Sequence, residues 1–202
     1  MVCTTRVWWR QGLSALEDRR VLSLMLLMVT FACAQVRFHL PFTEVPLSGQ
    51  TFAVLLTGMM VGAGWGAATQ AAYVGLGTAG LPLFAGWASG WSALAGPTGG
   101  YLVGFVVCAW TVGALARIRP SSFSWLLLCG VVGSVVIYVL GAGWYSVATR
   151  QGLFPTFLKA VAPFLPGDGA KLILAATVAS GYQRLRRSRG RMPETGEAKT
   201  SG

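Results

Sequence analysis

Long apolar stretches with almost no charge constrain this sequence most strongly. They cover residues 21–36, 52–80, 101–116, 123–148 and 170–182. A helix that spans a membrane needs about 20 mostly apolar residues. Charged residues make up 11% of the chain, whereas soluble domains carry about 25%. The sequence therefore predicts an all-α integral membrane protein.

The stretch between residues 51 and 80 is too long for one membrane helix. At 1.5 Å per residue it would extend roughly 45 Å, against a hydrocarbon core of about 30 Å. The glycines of "GAGWGA", residues 62–67, supply a break and predict two short helices. The other predicted helices cover residues 20–37, 98–116, 123–147 and 168–184. Six transmembrane helices follow.

Basic residues cluster before the first predicted helix, between the fourth and fifth, and after the sixth. An even number of helices places these clusters on one side, and the positive-inside rule makes that side the cytoplasm, with both termini. Lipid anchoring then accounts for the net charge of +10, and no nucleic-acid partner is predicted. An alternative is signal-peptide cleavage near Ala32-Cys33-Ala34. It would leave five helices and separate the basic clusters.

The predicted organisation has three parts. A basic cytoplasmic segment at 1–19 precedes a six-helix membrane domain at 20–185, which carries a glycine-rich outer loop at 80–100. A basic tail follows at 186–202, and the polar composition of its last ten residues is typical of disorder.

Several classes of site are absent from the sequence. No P-loop, dinucleotide fingerprint, HExxH motif or serine nucleophile elbow occurs. The four cysteines and the single His39 show no spacing for a metal or a disulfide. The sequence therefore predicts no metal, no cofactor and no ATPase activity of its own, so ATP hydrolysis would need other subunits.

Polar residues at membrane depth are the candidates for chemistry, because burying them is costly. Gln50, Gln70 and Tyr73 lie in the second and third predicted helices. Asp168 and Lys171, in "FLPGDGAKLIL", are three residues apart and share a helix face. Two interpretations stay open: Asp168 caps the helix while Lys171 snorkels to the interface, or the pair binds a ligand.

The uncharged stretch "FAGWASGWSALAGPTGGY", residues 84–101, joins the third and fourth predicted helices on the same face as Asp168. Loops of this length are functional lids or disordered linkers, and the aromatic Phe84, Trp87 and Trp91 argue against disorder. Its glycines allow close approach of backbone to a ligand. We expect an apolar small-molecule pocket beneath this loop; a re-entrant structural plug is the alternative.

Four stretches also carry a family resemblance: "VPLSGQTFAVLLTGMMVGAGWGA", "YVGLGTAGLPLFAGWASG", "GPTGGYLVGF" and "PFLPGDGAKLILAA". In this order they resemble the BioY family, the biotin-binding S components of energy-coupling factor (ECF) transporters. The resemblance is dense over residues 44–113 and clear over 160–178. It implies biotin uptake through a multi-pass protein of the plasma (inner) membrane, which binds biotin near the outer face.

The resemblance implies a set of substrate-binding residues: Gln50, Tyr73, Phe84, Gly86, Trp87, Ala88, Ser89, Gly90, Trp91, Tyr101, Asp168 and Lys171. Asp168 would accept from the ureido N–H groups of biotin, and Lys171 would donate to the ureido carbonyl or to the tail carboxylate. The aromatic residues would pack on the rings. The family's loop has a polar residue where this chain has Ala88, so Ser89 or backbone N–H groups would replace that contact.

The resemblance also implies partners: a transmembrane coupling protein and two ATPase subunits of an ECF transporter, besides biotin and the lipid bilayer. Self-association into a homo-oligomer is an alternative. Two other functions stay open, namely an S component for another vitamin and a membrane bundle or enzyme without transport function.

Overall fold

The computed structural model describes residues 19–38, 45 and 47–189. The basic segment predicted at 1–19 lies outside the described residues except for Arg19, as do His39, Pro46 and the tail beyond residue 189. The predictions made for those residues are therefore not tested.

The described chain is almost entirely helical. The helices are α1 (Arg19–Gln35), α2 (Gln50–Val61), α3 (Ala63–Thr78), α4 (Trp91–Ala95), α5 (Gly99–Ala116), α6 (Phe123–Thr149), α7 (Leu153–Ala160) and α8 (Leu165–Arg189). A 3-10 turn at Ala162–Phe164 joins α7 to α8. Two short strands, β1 (Arg37–Phe38) and β2 (Leu47–Ser48), pair antiparallel, with Arg37 opposite Ser48.

Gly62 makes the break between α2 and α3. Its φ of 86° and ψ of −179° lie in a region that is open essentially to glycine alone. The predicted break is therefore confirmed, although α3 begins directly at Ala63 and not after residue 67. The two helices can fold back on each other because this single residue reverses the chain.

The ends of α8 differ from the prediction. The helix begins at Leu165, three residues before the predicted start, and extends to Arg189. Pro166 lies in its first turn, where a missing backbone N–H costs nothing because that donor has no helical partner. Asp168 therefore occupies the first turn of α8 and not the position before the helix.

Three elements were not predicted: the short helix α4, the helix α7 and the β1–β2 pair. The eight residues of α7 are too few to show an apolar membrane run. Strands of two residues have no periodicity that a sequence could show.

Helix α2 lies inside the bundle and packs against α1, α3, α5 and α8. Val54 and Leu55 on α2 are at most 1% exposed. Helices α5 and α6 approach closely, because a methyl group on Gly100 would come within 2.2 Å of Trp144 Cβ. Small residues at such contacts let membrane helices pack backbone to backbone.

Three segments of the described chain are long and apolar enough to cross a membrane: Gly99–Ala116, Phe123–Thr149 and Phe154–Ser188. The last is divided by the 3-10 turn before α8. Helix α2 is apolar but has only 12 residues. These segments support a membrane protein. The count of six spans and the side on which the termini lie stay predictions.

Candidate functional site

A cavity of about 250 Å³ opens at the end of the bundle where α2, α5 and α8 begin. The segment between α3 and α4 and the strands β1 and β2 cover it. Its wall is formed by Arg37, Val45, Ser48, Gln50, Thr51, Phe84, Ala85, Ala88, Ala93, Thr98, Tyr101, Leu102, Phe105, Ile137, Tyr138, Phe164, Asp168 and Lys171. An apolar lining with a few converging polar groups is typical of small-molecule sites.

Asp168 is the carboxylate of this cavity and is 7% exposed. Its Oδ1 accepts a hydrogen bond from Thr51 Oγ1 at 2.9 Å, and its Oδ2 accepts one from Tyr138 at 2.6 Å. The donors come from α2 and α6, so three helices fix the carboxylate's orientation. These bonds to side chains offset part of the cost of burying its charge.

Lys171 lies one turn further along α8 and completes this cluster. Its Nζ is 2.7 Å from Asp168 Oδ1 and 2.5 Å from the backbone oxygen of Ser48 in β2. The prediction that the two residues share a helix face is confirmed. The ammonium is directed into the cluster rather than towards an interface, and the described partners of Asp168 are side chains. This geometry favours the ligand-site interpretation over a capped helix end.

A second chain of hydrogen bonds connects this cluster to the overlying loop. Ser48 Oγ donates to Gln50 Oε1 at 2.9 Å, and Gln50 Nε2 donates to the Tyr73 hydroxyl at 2.8 Å. That hydroxyl in turn donates to the backbone oxygen of Leu83 at 2.8 Å. Gln50 lines the cavity. Tyr73 lies behind it and is fully buried, so it holds Gln50 and the loop in place.

The loop is folded against α3 through Phe84, which is 4% exposed. The ring covers Gly77 so closely that a methyl group there would lie 2.3 Å from Phe84 Cζ. It also meets Tyr73 edge to face, with ring centroids 5.7 Å apart. The backbone N–H of Gly90 donates to the oxygen of Gly77 at 2.8 Å. The loop thus has a defined shape over the cavity.

The structure brings half of the predicted site residues to the cavity wall: Gln50, Phe84, Ala88, Tyr101, Asp168 and Lys171. Tyr101 at the start of α5 also donates its hydroxyl hydrogen to the backbone oxygen of Ala160, which joins α5 to the end of α7.

The structure does not place Trp87, Ser89, Gly90 or Trp91 on the wall. Trp87 and Trp91 are 61% and 74% exposed, and Trp87 packs edge to face on Phe31 of α1 with centroids 5.6 Å apart. Their predicted contact with the rings of a ligand stays a prediction.

Sequence reasoning missed five polar residues of the cavity wall: Arg37, Ser48, Thr51, Thr98 and Tyr138. The guanidinium of Arg37 lies against Gly86, where a methyl group would be 2.0 Å from Nη1, so Gly86 acts through the space that it leaves. Tyr138 is one of the few polar residues in the apolar run of α6. A polar side chain in an apolar membrane helix is costly to bury, so Tyr138 could have been selected as a candidate site residue on the same ground as Asp168.

The described residues contain no group of three or more histidine, cysteine or acidic side chains that could hold a metal ion. The polar groups on the cavity wall are one carboxylate, two cations and several hydroxyl or amide groups, which can form hydrogen bonds within an otherwise apolar wall.

The fold and the cavity together define a helical membrane protein with a cavity of small-molecule size near one end of its bundle. The model of the BioY family matches residues 10–188. This chain belongs to the BioY family.

Two relatives are similar over most of their length, and one solved structure shares the fold. "Biotin transporter BioY" of Thermotoga maritima is 38% identical over 149 residues, which cover 72% of this chain and 85% of that protein. "Probable biotin transporter BioY" of Pyrococcus horikoshii is 31% identical over 162 residues, covering 80% and 94%. The crystal structure of the S-component for biotin from an ECF-type ABC transporter superposes with a TM-score of 0.77. It is 22% identical and covers 88% of this chain and 93% of that one, so it shares the fold.

Proposed function

We propose that this chain is the biotin-binding S component of an ECF-type ABC transporter and serves biotin uptake. Membership of the BioY family and the biotin transporters among its relatives support this function. At the level of atoms, the observation that carries it is the ion pair between the buried Asp168 and the half-buried Lys171, which lines a cavity of about 250 Å³. The chain acts as a transport subunit and not as an enzyme.

The polar end of the cavity matches the ureido ring of biotin, which has two N–H donors and one carbonyl acceptor. A carboxylate has about four lone-pair sites, and three of those on Asp168 are used by Thr51, Tyr138 and Lys171. One acceptor position is left for a ureido N–H. Lys171 has three N–H donors, and the ureido carbonyl can replace one of its present partners.

The tail carboxylate of biotin calls for a second cation, and Arg37 supplies one on the same cavity wall. Its guanidinium is planar and suits a two-point contact with a carboxylate. We therefore assign the ureido ring to the Asp168–Lys171 end and the tail to Arg37.

The rest of the wall suits the apolar thiophane ring and the methylene tail. Phe84 comes from the loop, Phe105 and Leu102 from α5, and Ile137 from α6. We propose that Trp87, Ser89, Gly90 and Trp91 act through the conformation of the loop. Trp87, with φ at 63°, and Gly90, with φ at 84°, both hold left-handed backbone, so this part of the loop is shaped rather than extended.

Uphill uptake needs an energy source, and the sequence has no ATPase motif. We propose that a transmembrane coupling protein and two ATPase subunits supply it, with self-association as the alternative assembly. In this proposal six helices span the plasma membrane and both termini are cytoplasmic, because that arrangement places the basic clusters on one side.

Calorimetric titration of the purified full-length protein tests the substrate. We expect stoichiometric binding of biotin, and no displacement of biotin by thiamine or riboflavin. Biotin methyl ester, which lacks the tail charge, should bind at least tenfold more weakly than biotin, as expected for loss of a charge-assisted contact.

Two arginine variants refine this test. Arg37→Gln should bind the acid and the ester with nearly equal affinity, whereas Arg150→Gln, which removes an exposed arginine away from the cavity wall, should keep the preference for the acid. Binding of another vitamin in place of biotin would contradict the proposed substrate. An unchanged preference in Arg37→Gln would contradict only the assignment of the tail.

A further inference from the structure

A second cleft, of about 190 Å³, lies at the opposite end of the bundle from the ligand cavity. The start of α1, the ends of α2 and α5 and the last turns of α8 form this cleft. The turn between α5 and α6 completes its wall. Its wall contains Arg19, Met59, Met60, Val61, Gly62, Gly113, Ala116, Arg117, Pro120, Gln183 and Arg186.

Three arginines from three parts of the chain meet in this cleft. Arg19 starts α1, Arg117 follows α5, and Arg186 lies near the end of α8. Within residues 19–38, 45 and 47–189, the sole carboxylate side chain is Asp168. It lies 18 residues before Arg186 on the same helix, which is roughly 27 Å away at 1.5 Å per residue. The two acids next to Arg19 in sequence, Glu17 and Asp18, lie outside the described residues.

In the described part of the chain, these guanidinium groups do not donate hydrogen bonds to the free backbone oxygens at the ends of helices. The backbone oxygen of Met59, near the end of α2, accepts from Gln183 Nε2 at 3.3 Å. Side-chain hydrogen bonds of Arg19, Arg117 and Arg186 to backbone oxygens are not found among the described residues. Arg19, Arg117 and Arg186 are all exposed, and three positive charges around one cleft produce a positive potential that attracts an anion.

The backbone of the cleft is shaped around one of these arginines. The Nε and Nη2 atoms of Arg117 lie 3.4 and 3.5 Å from the position that a Cβ on Gly62 would take. Gly62 has a φ of 86°, and α3, which starts after it, has no side-chain cap at its first turn. The guanidinium of Arg117 therefore lies over the turn that precedes the positive end of α3.

The depth of the cleft identifies where its anion comes from. Helix α5 has 18 residues, which is roughly 27 Å and close to the hydrocarbon thickness of about 30 Å. With α5 spanning a bilayer, Arg117, directly after this helix, would lie at the level of the lipid headgroups. The apolar Met60, Val61 and Pro120 beside the arginines suit the boundary between headgroup and acyl chain.

We propose that this cleft binds a phosphate-bearing anion, namely the headgroup phosphate of an anionic phospholipid, and that Arg19, Arg117 and Arg186 hold it. Arginine forks match the geometry of phosphate oxygens. The site is separate from the biotin cavity and does not depend on the function proposed for that cavity. Bound lipid would join the ends of α1, α5 and α8.

Native mass spectrometry of the purified full-length protein tests this proposal. The detergent-solubilised protein is titrated with dioleoyl-phosphatidylglycerol, with dioleoyl-phosphatidylcholine, or with phosphatidylglycerol in the presence of inorganic phosphate. The variants are Arg117→Gln and Arg186→Gln. The matched control is Arg187→Gln, which removes a neighbouring exposed arginine of α8 that does not line the cleft. A control titration with biotin should be unchanged in all three variants.

We expect phosphatidylglycerol to bind the wild type and the Arg187→Gln protein alike, and to bind Arg117→Gln and Arg186→Gln at least tenfold more weakly, as for a lost charge-assisted hydrogen bond. Phosphatidylcholine should not distinguish the variants. Displacement by inorganic phosphate at comparable concentration would keep the site but identify free phosphate as its ligand. Equal lipid binding in all variants would overturn the proposal, as would no binding to the wild type.

Discussion

Two buried clusters of polar side chains in this bundle have similar composition at first sight but different surroundings. One, around Asp168 and Lys171, borders a cavity of about 250 Å³. The other, around Gln70 of α3, is enclosed between α1, α2 and α3 and touches no described cavity. Both lie among apolar helices, where burying a polar group has a cost.

The hydrogen bonds of the two clusters differ in quality. In the first, the contacts to Asp168 measure between 2.6 and 2.9 Å and connect α2, α6 and α8. In the second, Gln70 Nε2 donates to Thr30 and Thr57 at 3.2 and 3.3 Å, and in the described part of the chain Gln70 Oε1 accepts no hydrogen bond. Depth in the membrane therefore does not identify a candidate binding residue by itself, and contact with the cavity is the second criterion on which the proposed site rests.

The largest effect is expected from Lys171→Ala. It removes the ammonium from the buried Asp168 carboxylate, and loss of one member of such a pair costs about 2–5 kcal/mol. Biotin affinity, measured by calorimetry, should fall tenfold or more. Lys159→Ala is the control, since Lys159 of α7 does not line the cavity. An equal loss in both variants would mean that net charge and not the pair decides binding.

An intermediate effect is expected from Tyr138→Phe. The substitution keeps the ring and removes only the donor to Asp168 Oδ2. Biotin affinity should fall roughly three- to tenfold, as one hydrogen bond contributes about 0.5–1.5 kcal/mol. Tyr182→Phe, on α8 away from the cavity, should leave it unchanged. Full affinity in Tyr138→Phe would show that Asp168 does not need this donor for its orientation.

The smallest effect is expected from Gln70→Leu. Thr30 and Thr57 keep their own hydrogen bonds to the backbone oxygens of Leu26 and Ala53, and the unpaired amide oxygen is removed. Replacing a poorly satisfied polar group by an apolar one of similar size is nearly neutral. The free energy of unfolding should change by less than about 1 kcal/mol, and biotin affinity by less than about twofold. A large loss of binding would erase the distinction between the two clusters.

The sequence predicted correctly those elements whose residue types are set by the apolar environment of the membrane. Apolar runs predicted helices close to α1, α5 and α6, and the glycine-rich stretch predicted the break at Gly62. The pair on α8 followed from helical periodicity, because residues three apart share a face. Each of these features depends on residues that are close together in the sequence, so a single sequence is enough to predict it.

The remaining parts depend on residues far apart in sequence. Thr51 bonds to a residue 117 positions away, and no local pattern connects them. Trp87 was predicted to contact the ligand because it is an aromatic residue in the glycine-rich loop. In the structure its side chain is exposed and packs on Phe31. Both Gln70 and Asp168 were candidates because they are polar residues within membrane helices. The sequence does not show that Asp168 lines a cavity and Gln70 does not.

Titration of biotin into the purified Asp168→Asn variant beside the wild type tests the central claim most directly. The variant keeps the shape of the side chain but removes its charge, so Lys171 loses its ion-pair partner. The account predicts stoichiometric binding to the wild type and at least tenfold weaker binding to the variant, with an unchanged far-ultraviolet circular dichroism spectrum. Equal affinity in the two proteins would contradict the assignment of this cluster as the biotin site.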